Sequence, residues 1–210
     1  MTPDEFLAAF EAARASAILR TNDTAAARAA MEAAVRGGFR VVEFTLTIPR
    51  VLELIADFSR RDGLIVGAGT VLTVEEAQAA VHAGAKFLVS PVVDEVVIEE
   101  AARLNVAVMP GAGTPTEMLR AHRAGAQLQK LFPAPGTGPL WVRQTLGPLP
   151  FLRIVPTSGV TLENAVAYLQ AGAFAVGFVA SLFDPADIAA GRFDEIEQRA
   201  RRMIEAVRTA

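Results

Sequence analysis

Short apolar runs rich in β-branched residues alternate with longer Ala-rich segments along most of the chain. The short runs have the length and composition of buried strands, whereas the long segments space their apolar residues at the helical interval. Eight of the short runs predict strands, at residues 16–19, 41–45, 64–68, 87–90, 107–109, 128–132, 154–157 and 175–178. The pattern therefore predicts eight βα units in succession.

Several of the long segments open with Thr or Asp and close at a glycine turn, as helices do when a side chain caps them and a left-handed glycine ends them. They lie at residues 24–38, 73–85, 94–105, 114–126 and 161–173. A helix after every strand makes the sheet parallel, and eight units without a composition break favour a closed barrel over an open doubly wound sheet. We therefore expect an α/β fold, a (β/α)8 TIM barrel with an extra N-terminal helix at residues 3–14. Residues 1–210 are expected to form it as a single domain.

The composition excludes several classes of function. The chain has no cysteine and only two histidines, each at the end of a predicted helix, so thiolate chemistry is excluded and we expect no metal site. A net charge of −3 provides no basic surface for nucleic acid. Every apolar run is shorter than the ~20 residues of a membrane helix, and the early acids of the N-terminus are unlike a secretory signal. We expect a cytoplasmic protein with neither a nucleic-acid nor a membrane partner.

Lys130 is the first candidate for chemistry. Of the 20 basic residues only Lys86 and Lys130 are lysines, and both lie in strand-like segments. In the sixth predicted strand, Leu128, Lys130 and Phe132 share one face, and a barrel buries that face whichever side of its wall it lies on. Desolvation disfavours the ammonium form, and the free amine is the nucleophile that condenses with a ketone. The segment alone is equally consistent with a lysine that pairs with a carboxylate or extends out of the barrel mouth.

Glu43 favours the chemical interpretation. In the second strand it shares a face with Val41 and Thr45, among apolar neighbours, where a carboxylate is costly unless it is paired. A retro-aldol reaction on a 2-oxo acid needs an amine that forms an imine and a group that accepts and donates protons, and Lys130 and Glu43 supply both. Arg20, at the end of the first strand, either holds an anionic substrate group or only forms an ion pair at the barrel mouth.

The glycine-rich turn after the third strand contains Gly69 and Thr70. Its backbone N–H groups and the Thr70 hydroxyl can bind a carboxylate, although such turns commonly contain glycine for conformation alone. Pro91, Pro110 and Pro133 each follow a strand, and we interpret them as residues that end it.

One enzyme family has, in the same order and spacing, the motifs AILR, VVEFTLTIP, GAGTVLT, LVSP, MPGAGTPTE, QKLFPA, VPTSGV and AVGF. Over roughly residues 16–183 the chain resembles the KDPG/KHG aldolases, that is, 2-dehydro-3-deoxy-phosphogluconate aldolase and 4-hydroxy-2-oxoglutarate aldolase. The resemblance implies a homotrimeric class I aldolase that needs no metal ion or other cofactor. It implies that Lys130 forms the Schiff base and that Glu43 relays protons. It further implies a substrate pocket lined by Arg20, Thr70, Pro91, Phe132 and Thr157.

The chain departs from the family pattern at two places. Members specialised for the 6-phosphogluconate substrate usually have an arginine for the pyruvate carboxylate where this chain has Thr47, so Thr70, Arg20 or backbone N–H groups would have to take over that contact. The family's Gly-Gly corresponds to Ser158 and Gly159, and its Gly-x-Gly-Ser corresponds to Gly177, Phe178, Val179 and Ala180. Either tight phosphate recognition is lost here, or Ser158 and Ser181 restore the donors from slightly different positions.

We therefore expect a class I lyase that cleaves a 2-oxo-4-hydroxy acid, such as 2-dehydro-3-deoxy-6-phosphogluconate or 4-hydroxy-2-oxoglutarate, to pyruvate and an aldehyde. The alternatives are a barrel enzyme of another reaction class and a non-catalytic scaffold or binding module, against which the intact Lys130 and Glu43 argue. The candidate catalytic residues are Lys130 and Glu43. The candidate substrate-binding residues are Arg20, Thr47, Gly69, Thr70, Pro91, Phe132, Thr157, Ser158, Gly159, Gly177 and Phe178.

Overall fold

Helices and strands alternate throughout the computed structural model, which describes all 210 residues. The strands are β1 (Ala15–Leu19), β2 (Val41–Thr45), β3 (Ile65–Gly69), β4 (Phe87–Ser90), β5 (Ala107–Ala112), β6 (Gln129–Leu131), β7 (Ile154–Pro156) and β8 (Val176–Phe178). The helices are α1 (Pro3–Ala13), α2 (Thr24–Arg36), α3 (Val51–Phe58), α4 (Val74–His82), α5 (Glu95–Arg103), α6 (Pro115–Arg123), α7 (Pro139–Leu146), α8 (Ala165–Gln170), α9 (Pro185–Ala189) and α10 (Phe193–Arg208).

All eight strands are parallel and belong to one sheet, in the order β7-β6-β5-β4-β3-β2-β1-β8. The two outer strands approach each other, because the Phe174 N–H ahead of β8 donates to the Ile154 carbonyl of β7 at 2.9 Å. The sheet thus forms a nearly closed barrel with helices around it. The predicted (β/α)8 barrel with an extra N-terminal helix is confirmed.

Each predicted strand overlaps an observed one, and the largest difference is at β5, which continues beyond Met109 to Ala112. The interpretation of Lys86 as a strand residue is wrong. It lies in a bend between α4 and β4, because the left-handed turn at Gly84 delays the start of β4 until Phe87. The sequence pattern does not predict α3, α7 and α9, which have only five to eight residues.

Helix α1 closes the N-terminal end of the barrel. Thr2 and Glu5 form a capping box that fixes the start of the helix, and its Phe6 and Phe10 are fully buried. The Phe6 ring stacks on Phe87 with centroids 4.6 Å apart, and both belong to an apolar cluster inside the barrel. Because this end is filled with side chains, a ligand can enter the barrel only from the opposite end.

None of the helices combines the length and the apolar composition that a membrane-spanning segment requires. The single-domain organisation of residues 1–210 and the cytoplasmic location stay predictions.

Candidate active site

A cavity of about 450 Å³ opens at the carboxyl ends of the strands, where the βα loops of a barrel converge. It is lined by Ile18, Arg20, Glu43, Thr45, Thr70, Pro91, Lys130, Phe132, Thr157, Ser158, Gly159, Val160, Thr161, Val179, Ala180 and Ser181. A groove of about 520 Å³ between α5 and α6 contains none of the candidate residues and is lined by surface side chains such as the ion pair of Arg120 with Glu95. The cavity at the strand ends is therefore the candidate site.

Lys130 lies on β6 beside Gly111 of β5, and it lines the cavity. Its Nζ is 5.1 Å from the centre of the Phe132 ring, which is itself 40% exposed. The sequence predicts that the barrel wall buries this lysine, but the residue is only half-buried, because it is close to the end of β6. A ligand in the cavity can reach the amine directly.

Glu43 lies deeper, on β2, and only 1% of the residue is exposed. Its Oε2 has no hydrogen-bond partner, and neither Glu43 nor Lys130 belongs to any of the ion pairs of the chain. Burial raises the pKa of the Glu43 carboxyl, and the charges of Lys130 and Arg20 offset only part of that effect. Glu43 is therefore a buried carboxyl without an ion-pair partner, which can hold a proton or take one up.

Arg20 and Thr70 form a polar pair at the rim of the cavity. The Arg20 guanidinium donates to the Thr70 hydroxyl at 3.0 Å. Thr70 has a φ of +63°, which is a strained conformation for a β-branched residue and costs about 1–3 kcal/mol. The rest of the turn has to stabilise that conformation, and the arrangement puts a cation and a hydroxyl side by side where an anionic group can bind both.

Gly69 was predicted to bind the substrate through its glycine-rich turn, but in the structure it lies beside Glu43. It pairs with Thr45 in the β2–β3 register and is absent from the cavity wall. A Cβ atom at Gly69 would lie 1.9 Å from Glu43 Oε1. The glycine therefore provides the space in which the Glu43 carboxylate lies.

Thr157, Ser158 and Gly159 line the cavity just after β7. The Thr157 hydroxyl is buried without a hydrogen-bond partner, as is the hydroxyl of Ser16 in the barrel interior. Gly159 adopts a φ of +71°, which turns the chain at this point. Because an unpaired buried hydroxyl is costly, Thr157 Oγ1 is suited to a bond with a bound ligand.

Besides Gly69, three more predicted substrate-binding residues lie outside the cavity wall. Thr47 is exposed beyond the end of β2, where its hydroxyl bonds to that of Thr45 at 2.8 Å. Gly177 lies among residues of the barrel interior, since a Cβ there would be 2.7 Å from Ile18 Cδ1. Phe178 alternates to the opposite face of β8 and packs against Phe39 in the layer between sheet and helices, with ring centroids 5.9 Å apart.

Other wall residues are not among the candidates that the sequence gives: Ile18, Thr45, Val160, Thr161, Val179, Ala180 and Ser181. Residues two apart in a strand face the same side, so an inward-facing Glu43 predicts that Thr45 also faces the cavity. The family resemblance indicates Val179, Ala180 and Ser181 as phosphate-site positions, whereas Val160 and Thr161 have no comparable signal, because their positions depend on how the loops after β7 and β8 pack together. No three metal-ligating side chains (His, Cys, Asp or Glu) come together anywhere in the chain.

The family model described as "KDPG and KHG aldolase" matches residues 8–199. The 2-dehydro-3-deoxy-6-phosphogalactonate aldolase of Escherichia coli is 32% identical over 198 residues, which are 92% of this chain and 94% of that protein. The KHG/KDPG aldolase of the same organism is 33% identical over 178 residues, 83% of each chain. The structure of a Legionella pneumophila KDPG aldolase, with pyruvate captured as a covalent carbinolamine intermediate, superposes with a TM-score of 0.84. It is 25% identical and matches 94% of this chain and 97% of the other.

Proposed function

This chain belongs to the KDPG and KHG aldolase family, and from that premise we propose the residues by which it works. It is a class I aldolase, a carbon–carbon lyase that cleaves a 2-oxo-4-hydroxy acid to pyruvate and an aldehyde. The observation that carries the assignment of residues is the half-buried Lys130 amine, which shares one cavity with the unpaired Glu43 carboxyl.

In the first step that we propose, the unprotonated amine of Lys130 attacks the C2 carbonyl of the substrate. The carbinolamine that forms takes a proton from the Glu43 carboxyl, loses the former carbonyl oxygen as water and becomes a protonated imine, which leaves Glu43 as a carboxylate. This cation then accepts the electron pair of the C3–C4 bond when that bond breaks. The absence of an ion pair on Lys130 favours this step, because no carboxylate blocks the approach of the substrate to the amine.

Glu43 is the proposed proton carrier. Its carboxylate takes the proton of the C4 hydroxyl, directly or through a water, while the C3–C4 bond breaks to give the aldehyde and an enamine on Lys130. The protonated carboxyl then supplies a proton to C3 of the enamine, and hydrolysis of the pyruvate imine restores the lysine. The raised pKa of the Glu43 carboxyl suits both directions of transfer, because it brings that pKa closer to working pH.

Arg20 and Thr70 are the proposed partners of the substrate carboxylate. They lie together at the cavity rim, and Arg20 is the only cation of the wall besides Lys130. Family members specialised for the 6-phosphogluconate substrate usually have an arginine where this chain has Thr47. Because that arginine is missing here, we propose that the substrate carboxylate binds to Arg20 and Thr70. Pro91 and Phe132 complete the wall beside Lys130, and Thr157 contributes a hydroxyl.

The imine itself acts as the electron acceptor, so we propose catalysis without a metal ion or organic cofactor. The only partner that we propose apart from the 2-oxo acid is a further copy of the chain, as a homotrimer. Sedimentation equilibrium of the purified protein tests the trimer, and a monomer or dimer at micromolar concentration would disprove it.

Intact-mass spectrometry after incubation with pyruvate and borohydride tests the imine. We expect one pyruvyl adduct on the wild type and on Lys86→Ala, and none on Lys130→Ala. Lys86 is a matched control, because it is the only other lysine of the chain and lies outside the cavity. An adduct that persists in Lys130→Ala, or its absence from the wild type, would refute the mechanism.

A further inference from the structure

A main-chain carbonyl group lies next to Lys130 on the inner side of the barrel wall. Gly111 of β5 pairs with Lys130 of β6, and paired residues of parallel strands face the same side of the sheet. That side is the cavity, since Lys130 lines it. A Cβ atom at Gly111 would lie 2.3 Å from the Pro91 carbonyl oxygen and 2.5 Å from the Pro91 carbonyl carbon. The Pro91 carbonyl therefore occupies the space beside Lys130 that any other residue at position 111 would fill.

The Pro91 carbonyl oxygen is an acceptor without a donor in the chain. Pro91 follows the last residue of β4, and no backbone N–H group donates to its oxygen. The Ser90 hydroxyl donates to the Val92 carbonyl at 2.5 Å and so fixes the turn on both sides of Pro91. Backbone carbonyls in folded proteins are nearly always paired, with the chain, with water or with a ligand. This carbonyl is held in place by the turn and remains available to a group in the cavity.

The proposed reaction creates a strong donor at the same place. When the amine of Lys130 condenses with the C2 carbonyl of the substrate, the nitrogen of the protonated imine keeps one hydrogen and carries a positive charge. Hydrogen bonds from a charged donor are roughly twice as strong as those from a neutral one. The neutral amine that attacks and the neutral enamine that follows are weaker donors. An acceptor beside the nitrogen therefore stabilises the protonated imine more than the states before and after it.

The other groups that could interact with this cation are placed differently. Glu43 is the only carboxylate of the cavity wall, and β3, β4 and β5 separate its strand from β6 in the sheet. In the proposed mechanism it also serves the carbinolamine oxygen and the C4 hydroxyl. The Phe132 ring, whose centre is 5.1 Å from Lys130 Nζ, attracts a cation through its face but does not fix the direction of an N–H group. The Pro91 carbonyl is thus the acceptor best placed for the imine N–H.

We propose that the Pro91 carbonyl oxygen accepts the hydrogen bond of the protonated imine on Lys130, and that Gly111 is the positioning residue that leaves room for this carbonyl. The inference rests on the proposed function, since it assigns a further group to the same imine. Because the N–H lies in the plane of the imine, the bond also fixes the orientation of that plane in the cavity.

An ester in place of the amide between Pro91 and Val92 tests the carbonyl without changing a side chain. 2-Hydroxyisovaleric acid, the hydroxy analogue of valine, is introduced at position 92 by nonsense suppression. The ester carbonyl is a weaker acceptor than the amide carbonyl, and the Val92 N–H that is lost makes no hydrogen bond within the chain. Valine introduced at the same codon provides the control protein.

The measured quantity is the rate of imine formation. The enzyme is mixed with pyruvate, quenched with borohydride at increasing times, and the pyruvyl adduct is quantified by intact-mass spectrometry. In the ester protein we expect the limiting rate at saturating pyruvate to fall about tenfold, and the pyruvate concentration that gives half of this rate to change little. An unchanged limiting rate would overturn the proposal. So would an effect confined to the half-saturating concentration, because it would assign the carbonyl to substrate binding.

A pair of alanine variants tests the role of Gly111. Its backbone is outside the left-handed region, so alanine fits the chain path, but real Cβ contacts essentially never fall below 3.0 Å. The Pro91 carbonyl oxygen would have to move by about 0.7 Å from its distance of 2.3 Å. Gly113→Ala is the matched control, because a Cβ there meets its nearest atom at 3.8 Å.

We expect the limiting rate of imine formation to fall about tenfold or more in Gly111→Ala and to stay at the wild-type value in Gly113→Ala. A wild-type rate in folded Gly111→Ala, or an equal loss in both variants, would overturn the role of Gly111. If Gly111→Ala does not fold, as judged by circular dichroism, the ester protein decides the proposal.

Failure of this inference and failure of the proposed function give different results. Trapping of the wild type at long times reports only whether Lys130 forms an imine. An adduct on the wild type together with an unchanged limiting rate in the ester protein would refute the role of Pro91 alone. The absence of an adduct from the wild type would refute the proposed function itself.

Discussion

Adding a single methyl group at Gly69 tests how the site holds its proton carrier. Gly69 lies beside Glu43, and a Cβ there would be 1.9 Å from Glu43 Oε1 and 2.7 Å from Glu43 Cδ. The Gly69 backbone is outside the left-handed region, so alanine can adopt its conformation without strain. Gly69→Ala should therefore act on the position of the carboxylate and leave the path of the chain unchanged.

The size of the effect follows from these distances. Real Cβ contacts practically never fall below 3.0 Å, whereas the added Cβ would lie 1.9 Å from Glu43 Oε1. The carboxylate oxygen therefore has to move away by about 1.1 Å. Misplacement of a catalytic group by about 1 Å costs roughly 10²-fold in rate, which is about 2.7 kcal/mol of activation free energy. The clash is with the end of a flexible side chain, so the carboxylate should move and the barrel should stay folded.

The assay is pyruvate release from 4-hydroxy-2-oxoglutarate, measured with lactate dehydrogenase and NADH. We expect Gly69→Ala to lower kcat about 10²-fold, while Lys130 still forms a pyruvyl adduct with borohydride. Gly147→Ala is the matched control, because a Cβ there meets its nearest atom at 3.5 Å, an ordinary contact, and Gly147 lies outside the cavity.

A double-mutant cycle with Glu43→Gln shows whether the methyl group acts through the carboxylate. If it does, Gly69→Ala should change kcat by no more than a few-fold once Glu43 has been replaced. Wild-type kcat in the single variant, or a full 10²-fold loss in both backgrounds, would refute the reasoning.

Three further predictions concern stability, measured by urea unfolding. Because burial raises the pKa of Glu43, its carboxyl stays protonated in the folded state above pH 4.5, where it ionises in the unfolded chain. Glu43→Gln should therefore gain stability over the wild type as pH rises above that value, by at most about 1.4 kcal/mol per pH unit, and parallel pH profiles would contradict this. Phe6→Ala should lower the free energy of unfolding by roughly 3–5 kcal/mol, because the Phe6 ring is fully buried against Phe87. Phe151→Ala, at a half-exposed ring, should lower it little. Equal losses in the two variants would contradict the role of α1 in closing the barrel. Hydrogen bonds from Arg199 and Arg192 lower the pKa of the Asp187 carboxyl. The wild type should therefore be more stable than Asp187→Asn above pH 3.8, and this difference in stability should disappear on acidification. An advantage that persists at pH 2 would exclude this cause.

The sequence identifies Lys130 and Glu43 because both residue types are unusual within apolar strands. Their positions near the carboxyl ends of β6 and β2 follow from the strand pattern, and a parallel barrel brings those ends to one mouth. The strand pattern also contains the information that corrects the prediction for Phe178. Gly177 faces the barrel interior, so the next residue of β8 must face the helices.

The structure is needed wherever two segments meet that are distant in sequence. The space that Gly69 leaves for Glu43 depends on the register of β3 against β2, and the Ser181–Val160 hydrogen bond depends on the packing of two loops. Composition cannot reveal that Glu43 Oε2 lacks a hydrogen-bond partner.

The sequence by itself determined the succession of the strands and of the helices other than α3, α7 and α9, because strand periodicity, helix caps and glycine turns act within a few residues. It also determined which residue types stand at the strand ends. The tertiary structure decided how deeply each of them lies, which pairs touch and which donors stay free. Those properties depend on the tilt and stagger of all eight strands together, and a distance between neighbouring loops is fixed only when the barrel closes.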